Sequence, residues 1–227
     1  MARTLNLESH ALRREAFIDA AQRLIQTRGY EQMSIGDILG ELDASRGAFY
    51  HYFDSKAAVL DAVIDRMIAG AIETVEPIVA DPHLRATQKL AGVFAGIGRF
   101  KGERTELLLA IIRVWLADDN AIVRDKLRRG TRARLVPLLA RIVEQGVTEG
   151  DFTATSPVHA AGTLVSLLLG TNEVALDLWF ARQADTITFE AVLRTFHAYA
   201  EAFERILGAR PGSLRLADAA TLREWYG

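Results

Sequence analysis

Apolar residues recur along this chain with the 3.6-residue period of α-helices, and no stretch alternates as a half-buried strand would. Near the N-terminus, Leu12, Ala16, Ala20 and Leu24 form one apolar stripe. Gly29 follows the stripe and suits a left-handed helix end. The whole pattern predicts an all-α protein with helices at about 12–27, 35–43, 46–53, 56–78, 83–100, 105–116, 121–147, 157–181, 186–207 and 217–226.

Polar residues and prolines mark the ends of these helices. Ser34 and Ser45 stand where an N-cap hydroxyl accepts a backbone N–H bond. Pro77 and Pro82 are expected to end the long fourth helix near residue 78. Ser156, followed directly by a proline, predicts a further helix start. The chain therefore reads as short N-terminal helices followed by longer ones.

Two short helices joined by a tight turn lie between residues 29 and 60 and predict a helix-turn-helix, whose second helix enters a DNA major groove. Projection at ~100° per residue places Phe49 and Phe53 on the inner face of that second helix. Gly47 faces outward with Ala48 on its flank. Small residues at these positions would let the helix backbone come close to DNA.

The other outward side chains suit DNA chemistry. Tyr50 and His51 can reach phosphate oxygens. Arg46 could make a bidentate contact with a guanine edge, which discriminates between bases by ~1–3 kcal/mol. Lys56 lies at the start of the next helix, where its ammonium and free backbone N–H groups both favour a phosphate.

The run Ser45-Arg46-Gly47-Ala48-Phe49-Tyr50-His51-Tyr52-Phe53, followed by Ser55-Lys56, closely resembles the DNA-binding domain of the TetR family of bacterial regulators. The close match covers about residues 17–60. The resemblance implies a homodimer of helical subunits. It implies base contacts from Arg46, Gly47 and Ala48, and phosphate contacts from Ser34, Ser45, Tyr50, His51 and Lys56.

Two positions depart from the residues that are commoner in that family. Ala48 replaces a threonine and loses a hydroxyl contact, whereas Phe49 replaces a leucine, a packing change that we expect to be harmless. The predicted organisation is a three-helix DNA-binding head (residues 1–60) and a larger helical domain for effector binding and dimerisation (residues 61–227). The long helix at 56–78 joins the two and is the natural lever between them.

The larger domain is expected to carry the dimer face. The helices at 157–181 and 186–207 are apolar around much of their circumference, so each needs more than one packing partner. In the resembled family such a pair forms a four-helix bundle with its symmetry mate; burial of both sides within one subunit is the alternative. The expected interface residues are Leu164, Leu168, Thr171, Ala175, Phe196, Ala200 and Phe203.

The same domain is expected to bind a small, largely apolar effector. Helices that would wrap a central cavity in the resembled family carry Phe94, Ile97, Arg113, Trp115 and Trp179. Trp115 could supply an apolar wall and Arg113 a partner for a carboxylate. Plain core packing of these aromatic side chains is the alternative.

Composition limits the chemistry. The net charge is −2, and residues 1–65 hold seven Lys and Arg against ten Asp and Glu. DNA affinity must therefore come from local placement of cations, and a structural three-helix unit without DNA contact is the alternative. Without cysteine, disulfides and thiolate zinc sites are excluded. The five histidines are not spaced as ligands, and phosphate-loop and nucleophile-elbow motifs are missing. No metal, cofactor or enzymatic activity is expected.

Together these features predict a ligand-responsive transcriptional regulator that binds a near-palindromic operator as a homodimer. A repressor is the favoured interpretation. The first ten residues lack the apolar run of a signal peptide, and the protein is expected in the cytoplasm without a membrane partner. A helical small-molecule-binding protein with a vestigial head is the alternative from another class. A DNA-binding protein without an effector is a third.

Overall fold

The computed structural model describes residues 2–116, 121–214 and 219–227, and every regular element in this part of the chain is an α-helix. The predicted all-α class is therefore confirmed. The helices are α1 (Ala2–Arg28), α2 (Ile35–Leu42), α3 (Arg46–Tyr50), α4 (Lys56–Ala80), α5 (Ala86–Gly102), α6 (Thr105–Leu116), α7 (Ala121–Thr148), α8 (Pro157–Gln183), α9 (Phe189–Leu207) and α10 (Ala219–Tyr226).

The chain divides into two compact units. The first unit comprises residues 1–70 and 101–127, and the second comprises residues 71–100 and 128–227. The first unit thus contains the predicted head and adds a later segment that includes α6. The division into domains after residue 60 stays a prediction.

The first unit is organised around the aromatic side chains of α1 and α3. Phe17 of α1 is fully buried, and its ring centroid lies 5.6 Å from that of Phe49 in an edge-to-face arrangement. Phe53 is also buried and meets both rings. Ile38 on the inner face of α2 is fully buried, and α2 packs against α1. Short helices such as α2 and α3 persist through packing of this kind, because few of their own hydrogen bonds hold them.

The second unit has a main core and a smaller C-terminal cluster. Buried aliphatic residues of α4, α5, α7 and α8 surround Phe152 and Phe203 in the main core. The smaller cluster joins α10 to α8 and α9 through Val192, Leu222 and Tyr226. Burial raises the pKa of Tyr226 to about 12, so its phenol stays protonated and donates to a backbone carbonyl of α8.

Several helix ends differ from the predicted ones. α1 begins at Ala2, ten residues early, and α3 ends at Tyr50 although its hydrogen bonding continues as a turn to Phe53. Pro77 lies inside α4, so the prediction that it ends the helix is wrong. The helix continues to Ala80 and ends just before Pro82, because a proline disfavours helical backbone in the residue before it.

The start of α8 also differs in its hydrogen bonding. Ser156 occupies the N-cap position as predicted, but its side chain makes no capping bond. Its hydroxyl instead lies 2.7 Å from Nδ1 of His159. Among the described helices, α8 alone is long and apolar enough to cross a bilayer by length and composition, a test that the core helices of soluble proteins also pass.

Gly146 is required where α7 meets the following turn. A Cβ built on Gly146 would overlap the ring of Phe152, which is buried in the main core. We expect Gly146→Ala to lower the free energy of unfolding by about 1–3 kcal/mol through overpacking. Gly98→Ala is the matched control, since a Cβ there meets nothing within 4 Å. It should be neutral or stabilising by about 0.5–1 kcal/mol. Chemical denaturation of both variants measures the difference, and equal stabilities would contradict this account of Gly146.

Candidate nucleic-acid interface

The turn between α2 and α3 is fixed by hydrogen bonds of the short helices themselves. Ser34 and Asp37 form a capping box at the start of α2, in which each side chain accepts a backbone N–H of the other. Asp43 caps the C-terminal end of α2, and its left-handed backbone (φ 47°, ψ 47°) reverses the chain. Aspartate tolerates this region better than most residues. Ser45 then caps α3, accepting the Ala48 N–H at 3.2 Å. Both predicted caps are confirmed.

The two faces of α3 are those predicted from its sequence. Phe49 is fully buried and Phe53 nearly so, whereas Tyr50 keeps 53% of its surface exposed. Gly47 and His51 are also exposed, and Ala48 is half-buried. The tyrosine ring rests edge-to-face on Phe49 with 5.5 Å between centroids, so a buried anchor orients an exposed phenol. Polar groups on this face are therefore available to a ligand.

Gly47 has no packing reason to be glycine in the free protein. A Cβ at this position would meet only Oγ of Ser45, at 3.9 Å. Glycine inside a helix is destabilising by about 0.5–1 kcal/mol relative to alanine. A helix of five residues gains nothing within the protein from this choice. Close approach of another molecule to the α3 backbone would explain it.

The hydroxyls of Ser34 and Ser45 differ in what they can still donate. Ser34 donates its proton to Oδ2 of Asp37 at 2.6 Å. This hydrogen bond, the backbone bond from Ser34 and the charge of Arg28 hold the pKa of Asp37 below its usual value. Ser45 only accepts, from Ala48, in its described hydrogen bonds. Ser45 is thus ready to donate to a phosphate, whereas Ser34 must first release a carboxylate.

Lys56 is held against the loop between α1 and α2. Its Nζ lies 4.3 Å from the ring centroid of Tyr30 and donates to the Glu31 carbonyl at 3.2 Å. Burial, with smaller contributions from Glu31 and Asp61, raises the pKa of Tyr30. The phenol therefore stays neutral beside the ammonium. Two of the three ammonium protons remain for an anion, in a position fixed by the cation–π contact.

Ion pairing explains how an acidic head can present a cationic patch. Glu41 pairs with Arg23 at 3.0 Å, and Asp37 pairs with Arg28 at 3.3 Å. Arg66 reaches Glu15 and Asp19 on α1, and it also bonds Gln22. Much of the negative charge of α1 and α2 is thus compensated locally. Arg46 is exposed at the start of α3 and pairs with no described acidic side chain, so its guanidinium is available.

His10 is a residue of this surface that the sequence pattern does not reveal. The predicted first helix starts at residue 12, and the histidines are expected to be isolated. Because α1 extends to Ala2, His10 instead packs on His51 and Tyr52, with ring centroids 5.3 and 4.6 Å away. His10 and His51 lie 41 positions apart in the sequence, so no short-range pattern connects them.

The predicted effector residues do not form one site among the described side chains. Phe94 packs on Phe203 at 5.3 Å and, with Ile97, lies against the main core of the second unit. Trp179 belongs to the C-terminal cluster instead, beside Phe180. Arg113 and Trp115 lie outside the residues whose side chains are described. The fold thus places Trp179 apart from the first pair.

The predicted dimer residues fall into three groups. Leu164 and Phe203 are buried in the protomer's own core and offer no surface, which corrects their assignment to the interface. The carbonyl of Ala175 accepts from Tyr226, and Phe196 meets the same ring at 5.8 Å, so α10 covers both. The half-buried residues that keep surface outside these contacts are Leu168, Thr171 and Ala200.

The described part of the chain is all-helical, and its short α3 presents small and hydrogen-bonding residues outward above buried aromatic anchors. This is the architecture of the helix-turn-helix DNA-binding regulators. Residues 17–63 match the sequence profile of the bacterial regulatory proteins of the tetR family. These residues are thus a DNA-binding domain of the TetR family.

Curated relatives agree with this assignment. The chain is 30% identical over 145 residues to the transcriptional regulator EthR of Mycolicibacterium smegmatis, an alignment that covers 56% of this chain and 66% of EthR. It is 28% identical over 167 residues to the transcriptional repressor NemR of Escherichia coli K12, covering 70% of this chain and 81% of NemR. The chain thus spans just under two thirds of the length of EthR.

Solved structures share the fold at low sequence identity. RolR without ligand superposes with a TM-score of 0.62 at 18% identity, covering 93% of this chain and 95% of RolR. The reduced form of Escherichia coli NemR gives a TM-score of 0.51 at 20% identity, covering 88% of this chain and 99% of NemR. These similarities show the architecture alone.

Proposed function

We propose that this protein is a ligand-responsive repressor that binds a near-palindromic operator as a homodimer and is released by a small, largely apolar effector. The observation that carries the DNA-binding part is the orientation of α3. Its small and hydrogen-bonding residues face outward, while Phe49 holds it in the core. The repressor assignment is supported by the similarity to NemR, which is named a transcriptional repressor.

The proposed contacts follow from the chemistry of each exposed group. Arg46 reads a base edge in the major groove, and Gly47 and Ala48 let the α3 backbone approach the bases. Tyr50, His51, Ser45 and Lys56 bind phosphates on either side, and Ser34 joins them if its proton leaves Asp37. Phosphate contacts set the register of the helix, whereas Arg46 supplies sequence preference.

Two subunits are needed to read a near-palindrome. We place the DNA-binding head at residues 1–60 and the effector-binding and dimerisation domain at residues 61–227. We expect the protein to act in the cytoplasm. The apolar α8 and the surface left at Leu168, Thr171 and Ala200 support a face that a second copy covers. Phe94 and Ile97 are the described side chains that we propose for the effector. The effector can lower DNA affinity only by as much as its own affinity differs between the DNA-binding conformation and the released one.

Selection of binding sites from random duplex DNA with the full-length protein tests this function. We expect enrichment of one near-palindrome whose half-sites lie ~34–36 Å apart, which is one helical turn. A gel shift on the winning site should show strong preference over scrambled DNA. Uniform weak binding to every duplex would overturn the proposal and favour a small-molecule-binding protein with a vestigial head.

Lys56→Gln separates phosphate binding from base recognition. Loss of one phosphate contact should weaken binding to all DNA sequences alike and lower the slope of log affinity against log salt by about 0.9. Fluorescence anisotropy at several salt concentrations, on the selected site and on scrambled DNA, measures both effects. Lys56→Arg should largely retain affinity because it keeps the charge.

Arg210→Gln is the matched charge control for this experiment. Arg210 is an exposed residue of the second unit, and its replacement changes the net charge equally. Its salt slope should equal that of the wild type. An unchanged slope in Lys56→Gln, or an equal fall in both variants, would remove Lys56 from the proposed interface.

A further inference from the structure

His10, His51 and Tyr52 form a ring cluster that joins α1 to the end of the recognition helix. The centroids of His10 and Tyr52 lie 4.6 Å apart, those of His51 and Tyr52 5.0 Å, and those of the two histidines 5.3 Å. Both histidines are exposed, whereas Tyr52 is half-buried and also meets Phe17 at 5.7 Å. Tyr52 therefore ties the two imidazoles to the core of the first unit.

We propose that His10 is a positioning residue of the DNA-binding surface, which braces His51 from α1 and makes operator binding take up protons. This inference rests on the proposed function, because it needs His51 to face a phosphate. His10 is absent from the residues that the helix-turn-helix pattern implies. It extends the functional surface from α3 onto the N-terminal half of α1.

The bracing step follows from the packing. His51 lies just beyond α3, where its backbone N–H still bonds the Gly47 carbonyl. Its side chain is exposed, and the ring contacts described for it are those with His10 and Tyr52. A side chain already held in one place loses less entropy when it binds a phosphate. Removing the His10 ring should therefore weaken binding.

The proton step follows from charge. A protonated imidazole carries a positive charge, and two such rings at this separation repel each other. A DNA phosphate beside His51 offsets that repulsion, so the complex holds more protons than the free protein does. By linkage, affinity then rises as pH falls and declines as pH rises.

The other ionisable groups that the structure describes near the cluster do not supply this dependence. On α1 these are Arg13 and Arg14, and the Arg14 guanidinium pairs with Glu15 and lies 5.2 Å from the Phe53 ring centroid. On the side of α3 they are the phenols of Tyr50 and Tyr52 and the carboxylate of Asp54. Arginines, phenols and exposed carboxylates ordinarily keep one charge state between pH 6 and 8. On α1, the side chains that the structure describes begin at residue 10.

The test is operator affinity measured by anisotropy between pH 6 and 8, at constant ionic strength, on the site selected from random DNA. Between pH 8 and pH 6 the wild type should bind up to about tenfold more tightly for each pH unit that is lowered, which is the limit for the uptake of one proton. His10→Phe keeps a ring against His51 but cannot take a proton. It should bind like the wild type at pH 8 with a shallower slope of log Kd against pH.

Two further variants complete the test. His10→Ala removes the brace and should weaken binding severalfold at every pH, while His83→Phe, the same substitution at an exposed histidine of the second unit, should match the wild type. Thermal melts show whether a loss of DNA affinity reflects unfolding. If His10→Ala proves to be destabilised, the comparison of His10→Phe with the wild type still tests the proposal.

Equal pH slopes for the wild type and His10→Phe would overturn the proton linkage. Wild-type affinity in a folded His10→Ala would overturn the bracing. Either result leaves the proposed DNA binding intact, since the wild type still binds its site. Failure of the wild type to bind any selected DNA would instead overturn the proposed function, and this inference with it.

Discussion

Replacing Phe49 with alanine is expected to unfold the helix-turn-helix, although Phe49 is not one of the proposed DNA contacts. Phe49 is fully buried and meets the rings of Phe17, Tyr50 and Phe53. Truncation of a buried phenylalanine typically lowers the free energy of unfolding by about 3–5 kcal/mol. A helix of five residues has little else to hold it, so operator binding should be lost together with stability. Chemical denaturation and anisotropy on the same samples measure both.

Tyr50→Ala is the matched control, one residue further along α3. Its side chain is largely exposed, so its truncation should change the free energy of unfolding by no more than about 0.5 kcal/mol. DNA affinity should still fall, because the proposed phosphate contact is gone. Phe49→Leu should retain most of the stability, since leucine fills much of the same space. A stable Phe49→Ala, or a strongly destabilised Tyr50→Ala, would show that the two faces of α3 are assigned the wrong way round.

Arg46→Ala should abolish much of the sequence preference without harming the fold. The side chain is exposed and pairs with no described carboxylate. Loss of a bidentate guanine contact should reduce affinity for the selected site by about 1–3 kcal/mol, or roughly 5- to 150-fold. Affinity for scrambled DNA should change far less, and repeated site selection with the variant should show one relaxed base pair in each half-site.

Two controls make this result specific to base recognition. Arg46→Lys keeps the charge but lacks the planar fork, so it should also lose preference at that base pair. Arg23→Ala changes the net charge equally, at a residue of α1 that pairs with Glu41. Its effect should be small and uniform across sequences. Equal losses on selected and scrambled DNA for Arg46→Ala would make Arg46 a phosphate contact instead.

Local sequence was enough to place the recognition surface on α3. The inner and outer faces follow from the helical period, and both serine caps follow from side-chain chemistry at the two chain reversals. These features depend on neighbours within about four residues, so they can be read without knowing what packs against the helix. The family resemblance rested on the same short stretch.

Features set by distant residues escaped prediction. Leu12 belongs to the apolar stripe predicted for the first helix, yet 72% of its surface is exposed. The buried face of α1 begins further along the chain, at Phe17. The Ser34 hydroxyl donates its hydrogen bond to the Asp37 carboxylate, and the assignment of Ser34 as an N-cap does not by itself predict this bond. Leu164 and Phe203 were apolar enough for an interface, but they are buried within their own chain.

What the amino-acid order determined by itself is the helical class, the helix-turn-helix and the side of α3 that meets water, since period and capping are short-range properties. What only the tertiary structure decided is which side chains from separate helices meet: His10 with His51, Lys56 with Tyr30, and α10 with α8 and α9. Apolar periodicity shows that a helix face is covered but not what covers it, because any apolar partner satisfies the same hydrophobic effect.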